Sequence, residues 1–596
     1  MCGGDTLASF IKQILTGALI TLVSVQCVFA TESGSGQDID KLLRDIWVFQ
    51  AKTEPVEGAE NGVFDFNDKL ADRSPEALAK YYEKRKHYLQ QLNAMLTDDI
   101  SMSQKADIVV MQHLLRDKID KYELKYHYIP LTSEFGFHME IAFLSKFVRF
   151  ATAKDYRDYN ERLKQVPAFF DQNIYWLKKG IESGFTQPLA SIKGSDETIR
   201  TFITDDIENS VFMEPYRSAK PVFMSDSEWK TLKSDAMTTI KQSVVPQFER
   251  FLSFYINEYE PAARHSVGIS AIKGGTEYYE NRIKHFTTTD LSGEEIHQLG
   301  LSEVARIRAE MDKIIKQTGF KGDFKAFVEF LRTDKQFYAE TPKDLLKEAS
   351  YIAKRVDAKL PQLFKTIPRK PFAIDPVPDE LAPKYTTGRY LGSNSDEKPG
   401  TYWLNTYALD RRPLYALPAL TLHEAVPGHH FQAALSAEQE MLPHRKHYYM
   451  SAFGEGWALY AEYLGIEAGI YDDPYSDFGR LTYEMWRACR LVVDTGIHIK
   501  GWSRKKAMTF MEDNTALSKH NIQTETDRYI TWPAQALSYK IGELTIKRLR
   551  KKAENALGNR FNVREFHDRV LMNGSVPMNL LEEIIDQYIA DVKASH

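Results

Sequence analysis

Apolar residues recur at three- and four-residue spacing through most of this sequence, and this periodicity constrains the fold more than any other feature. It is clear in ALAKYYEKRKHYLQQLNAML, SQKADIVVMQHLLRDKIDKYELKY and YRDYNERLKQVPAFFDQNIYWLKKGIES. Side chains with this spacing share one face of an α-helix, which has to be buried against other helices. Ser292 and Glu295 form the pattern of a capping box, which opens a further long helix. The sequence therefore predicts a mainly α-helical protein.

One stretch, residues 366–406, departs from this periodicity. Five prolines between Pro368 and Pro383 exclude a helix, and Lys398-Pro399-Gly400 marks a turn. The segment TYWLNTY that follows is rich in β-branched and aromatic residues, which predicts a short strand. We place a soft domain boundary near residue 285, between an N-terminal helical region (31–285) and a C-terminal region (286–596), with both regions packed around one cleft.

The first 30 residues have the composition of a secretory signal peptide. Residues 14–30 are apolar apart from a few small polar residues and Gln26, and Val28 and Ala30 stand at the −3 and −1 positions of a cleavage site after Ala30. A membrane anchor is the alternative, but roughly 17 apolar residues is at the short limit for a span. Lipid attachment at Cys27 is disfavoured because Gln26 replaces the small residue that such processing requires. We expect a secreted or periplasmic protein, with no membrane span in the mature chain.

Cysteine content and charge narrow the choice of metal ligands and partners. Cys489 is the one cysteine that follows the predicted leader, so neither a disulfide within the chain nor a thiolate metal site can form. Any metal must be held by histidine and carboxylate. The net charge of −5 is spread without long runs, so nothing favours nucleic acid or an anionic membrane surface as a partner.

The stretch LTLHEAVPGHHFQ, residues 420–432, resembles a zinc-peptidase motif with the wrong spacing. The usual pattern is H-E-x-x-H, but Pro427 stands four residues after His423. On an unbroken helix, His423 and His429 would point about 120° apart, because each residue turns about 100°. Pro427 removes a backbone donor and forces a bulge, for which Gly428 supplies the backbone freedom. Such a bulge resets the helix phase, so that His429 can meet His423 and Glu424 keeps its place beside the first histidine.

His430 competes with His429 for the role of second ligand. Residues seven apart share a helix face, although about 10 Å of rise separates them on a straight helix. Catalytic zinc usually has a third protein ligand, and Glu455 lies between two glycines in SAFGEGWALYAEYLG, where small neighbours would let it approach an ion. Glu462, on the same face, is expected to orient a ligand. The alternative is an ordinary solvated or buried histidine with no metal.

Five ordered blocks of the sequence resemble a known bacterial family. They are PGTYWLNT, LTLHEAVPGHHFQ, GEGWALYAE, DTGIHIKGW and DRYITWPAQALSYKIG, with upstream matches in SEFGFHME and TEYYENRIKHFTTTDLSGEEIHQLGL. Over nearly all of the mature chain they resemble the family called domain of unknown function 885. That family is similar, more loosely, to helical gluzincin zinc metallopeptidases of the oligopeptidase and carboxypeptidase types.

The gluzincin resemblance implies a large helical fold with a central cleft and a small β element beside the zinc-motif helix, where a strand aligns the peptide. It implies that His423, His429 and Glu455 hold one Zn²⁺ ion, with Glu424 as general base. The substrates would be short peptides, hydrolysed by a zinc-activated water whose proton Glu424 passes to the leaving amine. This sequence departs from the peptidase pattern by a two-residue insertion. The insertion affects the assignment of the second histidine ligand.

The helix predicted in RLTYEMWRACRLVVDTGIHIKGW carries a polar face that is one possible source of an oxyanion donor. Arg487, Arg490, Asp494 and His498 fall within about 80° of one another around this helix, and Trp486 lies on the opposite, apolar face. We predict that His498 hydrogen-bonds the substrate and that Asp494 fixes its tautomer. The alternative is a buried structural ion network.

The segment TDRYITWPAQALSYKIG is the second possible source of this donor. Pro533 is expected to start a helix that presents Gln535 and Tyr539 one turn apart. Tyr529 is the first choice as oxyanion donor and Tyr539 the second. Arg528 with Tyr529 resembles an arginine–tyrosine pair near the active site of helical dipeptidyl carboxypeptidases.

Four residues are candidates for substrate binding. Arg528 or Lys540 would receive the terminal carboxylate of a peptide, which would make the enzyme a carboxypeptidase or dipeptidyl carboxypeptidase. Tyr402 and Asn405 of the predicted strand would meet the peptide backbone. The competing functions are a catalytically silent peptide-binding protein on the same scaffold and a zinc hydrolase of non-peptide amides. The sequence does not indicate the oligomeric state.

Overall fold

The computed structural model describes residues 34–132, 135–379, 382, 385–393 and 398–595. The predicted leader, residues 1–30, including Cys27, lies outside these ranges. Within them, no helix combines the length and the apolar character that a membrane crossing requires.

The described chain is mainly α-helical, which confirms the prediction from periodicity. In its first half the α-helices are α1 Gly34–Thr53, α2 Pro55–Glu60, α3 Pro75–Met95, α4 Met102–Glu123, α5 Phe137–Ala142, α6 Leu144–Phe147, α7 Ala153–Ser183, α8 Leu189–Ile192, α9 Ser195–Arg200, α10 Asp226–Thr239, α11 Val245–Phe254 and α12 Gly275–Thr287. In its second half they are α13 Gly293–Gln317, α14 Phe324–Thr333, α15 Pro342–Asp357, α16 Leu360–Leu363, α17 Leu417–Glu424, α18 His429–Ala437, α19 Pro443–His447, α20 Ser451–Glu467, α21 Pro474–His498, α22 Arg504–Asn514, α23 Lys519–Thr531, α24 Ser538–Leu557, α25 Val563–Leu571 and α26 Met578–Ala594.

Short segments of other helix types connect these elements. The π-helical segments are Ile240–Val244 and Tyr255–Tyr259, and the 3₁₀ segments are Tyr126–Tyr128, Val211–Tyr216, Ile269–Ala271, Lys335–Phe337, Leu409–Arg411, Leu414–Ala416, Gln535–Leu537 and Gly558–Arg560. The helix expected at Pro533 therefore begins as a 3₁₀ turn at Gln535 and continues as α24. The predicted capping box is present at α13, where the Ser292 hydroxyl accepts from the Glu295 N–H and the Glu295 carboxylate accepts from the Ser292 N–H.

Two large hydrophobic cores lie in different parts of the chain. One is formed by residues between Val56 and Ala263, and the other by residues between Val304 and Ile589 together with two residues of α4. The boundary that the sequence suggests, near residue 285, falls between these cores but inside α12. Residues 43–596 form one compact unit.

The proline-rich stretch contributes a three-stranded sheet of β1 Phe372–Pro376, β2 Gly388–Leu391 and β3 Gly400–Leu404. The order is β1-β3-β2, with β1 parallel and β2 antiparallel to β3. The strand predicted in TYWLNTY is β3, and it is the central strand. Strand β2 is therefore an edge strand, and one of its backbone N–H groups, that of Tyr390, reaches α17.

Helices α20 and α24 cross with their backbones in direct contact. A Cβ atom added to Gly456 would lie 2.5 Å from the backbone of Gly542, and one added to Gly542 would lie 1.9 Å from the carbonyl oxygen of Ala452. Both distances are far below van der Waals contact, so the crossing requires glycine on each helix. This crossing fixes α20, which carries Glu455.

Candidate metal centre

The motif helix is interrupted between α17 and α18 by the four residues 425–428. The N–H of Phe431 donates to the carbonyl oxygen of Ala425, six residues earlier, where an α-helix would span four. A Cβ atom on Gly428 would lie 1.9 Å from the carbonyl oxygen of His423, so only glycine fits there. The interruption thus takes up two extra residues, as the Pro-Gly pair predicts.

The interruption brings His423 and His429 together. Their ring centroids are 4.8 Å apart, with the ring planes at 89°. Glu455 approaches both, because its Oε2 lies 3.5 Å from Nε2 of His423 and 3.4 Å from Nε2 of His429. One ligand atom from each residue lies within 4.8 Å of the others. We call these three residues the His-His-Glu cluster.

The spacing within the cluster fits a zinc ion. Two donors at the usual 2.0–2.1 Å from zinc, at a tetrahedral angle, lie about 3.3–3.4 Å apart. The distances from Glu455 to the two histidines are within 0.2 Å of that range. Two imidazoles and one carboxylate also form the ligand set of catalytic zinc sites, which leave a fourth position for water.

Glu462 orients His423 by contacting the ring nitrogen that faces away from Glu455. Its Oε1 lies 2.7 Å from Nδ1 of His423. Because a carboxylate accepts, Nδ1 carries a proton, and Nε2, which faces Glu455 and His429, is the nitrogen that could bind a metal. The predicted role of Glu462 matches this geometry. Its other oxygen, Oε2, is buried and has no hydrogen-bond partner among the residues that the structure describes.

The electrostatics of the cluster favour positive charge on its histidines. Burial alone would lower the pKa of His423, but hydrogen bonds to Glu455 and Glu462 raise it to about 9. Burial alone would raise the pKa of Glu455, but His429 and His423 lower it well below its usual range. In the absence of metal, a proton on His423 therefore supplies positive charge that a bound cation would otherwise supply.

His430, the competing ligand, points away from the cluster. Its Nε2 lies 3.0 Å from the carbonyl oxygen of Lys370, and its Nδ1 lies 3.3 Å from the hydroxyl of Tyr390. Because α18 begins at His429, His430 is turned about 100° from it and faces the strands. Of the two alternatives that the sequence leaves open, the structure brings His429 to His423.

Glu424 lies next to the cluster and is held by the sheet. Its Oε2 accepts a hydrogen bond of 2.8 Å from the backbone N–H of Tyr390 in β2. The carboxylate lines the same cavity as the His-His-Glu cluster. This hydrogen bond fixes one oxygen and leaves the other available for a proton.

The cavity that contains these residues has a volume of about 1850 Å³. Helices α17, α18, α20, α21 and α23 and strand β2 contribute to its wall. A cavity of this size accommodates a short peptide in extended form, since drug-sized ligands fill about 300–1,000 Å³. The predicted central cleft therefore exists beside the cluster.

Tyr449 is a residue of this cavity that the sequence analysis misses. It is half-exposed, projects into the cavity and lies against Gly454, where an added Cβ atom would be 2.3 Å from its hydroxyl. Enclosure by the surrounding protein and the charge of Glu455 raise the pKa of Tyr449 well above its usual value, so the hydroxyl keeps its proton. Gly454 thus makes room for Tyr449, not for a closer approach of Glu455 to an ion. The sequence could have indicated Tyr449 only by its position, six residues before Glu455.

Tyr529, the first choice as oxyanion donor, is wrong for that role because its hydroxyl does not reach the cavity. The residue is 1% exposed, and its hydroxyl accepts from Nε1 of Trp486 at 3.1 Å and from Nε of Arg490 at 3.0 Å. Trp486, expected on the opposite face of α21, lines the cavity with Arg490. Tyr539, the second choice, does line the cavity.

His498 and Asp494 do not act as the predicted pair. Nδ1 of His498 accepts from the N–H of Ile269 at 3.1 Å, and Nε2 donates to the carbonyl oxygen of Tyr529 at 3.0 Å. Asp494 instead accepts from the Tyr279 hydroxyl at 2.6 Å, and also from a backbone N–H. Both side chains are fully buried at the end of α21 away from the cavity, so the predicted substrate contact is wrong and the structural alternative applies.

Lys540 is wrong as a receptor for a substrate carboxylate. Its side chain is fully buried, and its Nζ lies 3.0 Å from Glu303, 2.7 Å from Glu484 and 2.6 Å from Glu543. These carboxylates already neutralise the ammonium group. Arg528, the other candidate, does line the cavity.

Tyr402 and Asn405 are also wrong as peptide contacts. Tyr402 is fully buried in the central strand β3. Asn405 donates to the carbonyl oxygens of Ala382 at 2.9 Å and of Tyr385 at 3.1 Å, so it holds the preceding loop in place. Strand β2 contributes three residues to the cavity wall and β3 contributes Leu404. The sequence did not indicate β2, because its residues carry no strand pattern.

The fold and the site define a class, that of mainly α-helical proteins with a partly buried His-His-Glu cluster in a large cavity. The sequence matches the family described as bacterial protein of unknown function (DUF885) over residues 55–585, and the chain belongs to that family. This confirms the family resemblance seen in the motif blocks. No protein with a curated description matches the sequence.

Two solved structures resemble this chain over nearly its whole length. A protein of Colwellia psychrerythraea, provisionally assigned as a lipoprotein, is 28% identical, with a TM-score of 0.87, and the match covers 94% of this chain and 100% of that one. A protein of Shewanella oneidensis, provisionally assigned as a lipoprotein of unknown function, is 18% identical, with a TM-score of 0.73 and coverages of 93% and 100%. The second likeness concerns the fold alone.

Proposed function

We propose that this protein is a zinc-dependent peptidase that hydrolyses short peptides in the cavity. The observation that carries the proposal is the convergence of His423, His429 and Glu455, with separations of 3.4–3.5 Å from Glu455 to the two imidazoles. That geometry fits zinc, and Glu424 lies beside it in the same cavity. Zinc bound by these ligands supplies a lowered water pKa, towards about 7, and polarisation of the scissile carbonyl.

Glu424 is the general base in this proposal. It takes a proton from the attacking water and passes it to the nitrogen of the leaving amine. The hydrogen bond from Tyr390 supports this role, because it holds the carboxylate in one orientation without neutralising it.

Strand β2 aligns the substrate. Within the part of the chain that the structure describes, no strand pairs with its outer edge, which borders the cavity. Apart from the Tyr390 N–H, which already donates to Glu424, the backbone groups of this edge can pair with an extended peptide. Backbone pairing does not depend on side chains, which suits an enzyme that accepts many short sequences.

Tyr449 donates to the oxyanion that develops as water attacks the carbonyl. A donor of this kind must carry its proton at neutral pH and lie next to the reacting carbonyl. Tyr449 meets both conditions, because its pKa is raised and it lies beside Glu455 in the cavity. Tyr539, which also faces the cavity, is the second candidate.

We further propose an extracytoplasmic location. Residues 1–30 have the composition of a signal peptide, and the structural neighbour from Colwellia psychrerythraea carries a provisional assignment as a lipoprotein. Cleavage after Ala30 without lipid attachment at Cys27 stays a prediction.

The decisive experiment combines metal analysis with the Glu424→Gln protein. We expect one zinc per chain by mass spectrometry of the metal, and cleavage of a mixed peptide library that falls about 10²–10⁴-fold in Glu424→Gln while zinc is retained. Glu440→Gln, at an exposed position beyond α18, is the matched control and should cleave as the wild type does.

Three other results would each contradict the proposal. Undiminished cleavage by zinc-loaded Glu424→Gln would reject the mechanism. Peptide binding without turnover in zinc-replete wild type would indicate a silent binding protein. Turnover confined to non-peptide amides would indicate an amidohydrolase.

A further inference from the structure

The cavity has a charge opposite to that of the chain as a whole. Nine arginine and lysine residues and four glutamates line it among the described residues, whereas the chain carries a net charge of −5. Two of the four glutamates, Glu424 and Glu455, belong to the proposed reaction site. A cleft lined by one sign of charge concentrates ligands of the opposite sign. The ligand of this cavity is therefore expected to be an anion.

Two of these cations are buried arginines of α21. Arg487 is 4% exposed and Arg490 is 2% exposed. The Arg490 guanidinium lies 4.4 Å from the ring centroid of Trp486 and 4.2 Å from that of Tyr539, and Arg487 lies 4.7 Å from the ring of Trp486. Aromatic packing holds both guanidinium groups in place along the cavity wall.

Each of these arginines has a hydrogen-bond donor without a partner. Among the side chains that the structure describes, Nε of Arg487 and Nη1 of Arg490 are buried and make no hydrogen bond. A buried donor without an acceptor is unfavourable, and an ordered water, an ion or a ligand usually pairs with it. Both residues line the cavity, so an anion bound there can accept from them.

The carboxylates around the arginines do not balance their charge. Glu525 is shared, since it lies 2.9 Å from Nη2 of Arg490 and 3.4 Å from Nη1 of Arg528. Arg487 lies 3.5 Å from Glu462, but that carboxylate already accepts from His423. Of these two carboxylates, Glu525 alone is not shared with the metal centre, so its single negative charge faces three guanidinium groups.

We propose that Arg487, Arg490 and Arg528 form a subsite that binds a carboxylate of the substrate, so that the cavity selects peptides with a carboxylate near the bond to be cut. The inference rests on the proposed peptidase function and deepens it. Guanidinium groups match a carboxylate with paired hydrogen bonds, and the contact from Arg487 to Glu462 places the subsite next to the metal centre. The carboxylate belongs either to the peptide C-terminus or to an acidic side chain.

The test measures binding separately from cleavage. Zinc-loaded Glu424→Gln protein is titrated calorimetrically with three N-acetylated tetrapeptides: one with uncharged side chains and a free C-terminus, the same one amidated, and an amidated one that contains glutamate. We expect at least one carboxylate-bearing peptide to bind tenfold or more tightly than the neutral amide. The peptide that does so identifies the source of the carboxylate.

Variants then locate the subsite. In the same background, Arg490→Gln and Arg487→Gln should each reduce the preference to less than threefold. Arg411→Gln removes the same charge at an exposed position of the same cavity and should leave the preference at tenfold. Because Arg490 also holds Tyr529 and Glu525, each variant is first checked by thermal unfolding.

Equal affinity for the three peptides overturns the subsite, and this comparison does not depend on any arginine variant being folded. A preference that persists in folded Arg490→Gln and Arg487→Gln also overturns it. If the preference is present but wild type cleaves no peptide, the subsite stands and the peptidase proposal fails. If wild type cleaves all three peptides equally well and their affinities are equal, the peptidase proposal stands and the subsite fails.

Discussion

The indole N–H of Trp457 donates a hydrogen bond of 2.8 Å to the carbonyl oxygen of Pro427. Trp457 is fully buried on α20, two residues after the proposed ligand Glu455, and Pro427 lies in the interruption between the two histidines. This one hydrogen bond therefore ties the path of the interrupted helix to the helix that carries the third proposed ligand.

Replacing Trp457 by phenylalanine should weaken both the fold and zinc binding. The Pro427 carbonyl would be left buried without its donor, which costs about 1–3 kcal/mol of the free energy of unfolding. We also expect a lower zinc affinity, measured by competition with a chromogenic chelator. Trp176→Phe is the matched control, since Nε1 of Trp176 donates to the carbonyl oxygen of Arg73 at 2.7 Å, outside the cavity. It should lose stability but keep its zinc affinity, and equal losses of affinity would contradict this prediction.

The two adjacent histidines should respond differently to the same substitution. His429→Gln removes a proposed ligand and should reduce bound zinc to well below one ion per chain after dialysis. His430→Gln should retain the metal, because His430 bonds a backbone carbonyl and Tyr390. Metal analysis of the two purified proteins decides the matter, and the reverse result would make His430 the ligand.

Glu462→Gln should weaken zinc binding without removing a direct ligand. The amide keeps the size of the side chain but no longer draws the proton of His423 as strongly, and such changes typically cost 10–100-fold in metal affinity. The control is Glu54→Gln, which disturbs an ion pair of 2.6 Å with Arg73 away from the metal centre. Chelator competition should show a change for Glu462→Gln alone, and an unchanged affinity would remove Glu462 from the metal centre.

Tyr449→Phe should lower kcat about 10²–10³-fold with little change in KM and with zinc retained, because a missing oxyanion donor affects the transition state alone. Tyr529→Phe should instead lower thermal stability and leave kcat within a few-fold, since its hydroxyl accepts from Trp486 and Arg490. Steady-state kinetics on a cleaved peptide compares the two. A larger kcat loss in Tyr529→Phe would restore Tyr529 as the donor.

The buried ring of His498 should make stability depend on pH. Burial lowers the pKa of His498 to about 3, whereas histidine in an unfolded chain titrates near 6.5. Between these values the unfolded chain binds one more proton than the folded one, so stability falls as pH decreases below about 6.5. The contribution of this residue is about 1.4 kcal/mol per pH unit.

The variant His498→Gln separates this contribution from that of other groups. Its amide retains an acceptor and a donor but does not titrate. Urea unfolding at pH 7.0 and pH 5.5 should show a smaller pH-dependent loss in the variant than in wild type. The buried His567, whose pKa is also lowered to about 3, is unchanged and accounts for part of the remaining dependence. Identical losses in both proteins would contradict the prediction.

Features that depend on neighbouring residues in the chain could be predicted from the sequence. The helices, the capping box at Ser292, the strand β3 and the helix interruption at Pro427 all follow from local spacing and backbone chemistry. The close approach of His423 to His429 could also be predicted from the sequence, because it depends only on the number of residues in the interruption.

Features set by packing between distant segments could not be predicted in this way. Lys540 lies on a polar position of α24, but Glu303, from α13, covers and neutralises it. The polar face of α21 is likewise divided, with Arg490 facing the cavity and His498 buried against Ile269. A helical wheel assigns residues to a face but does not identify the segment that packs against it. Tyr449 was missed for another reason, since it lies between α19 and α20, where no helical periodicity applies.

The two additional residues between the histidines have a practical consequence for recognising such sites. A sequence pattern with a fixed number of residues between the histidines accepts only chains with that number. Metal coordination depends instead on the positions of the side-chain ligand atoms. Chains that read H-E, then a proline–glycine break, then histidine should be examined for a Gly-Glu-Gly segment further along. That search can find chains with the same His-His-Glu cluster that strict patterns exclude.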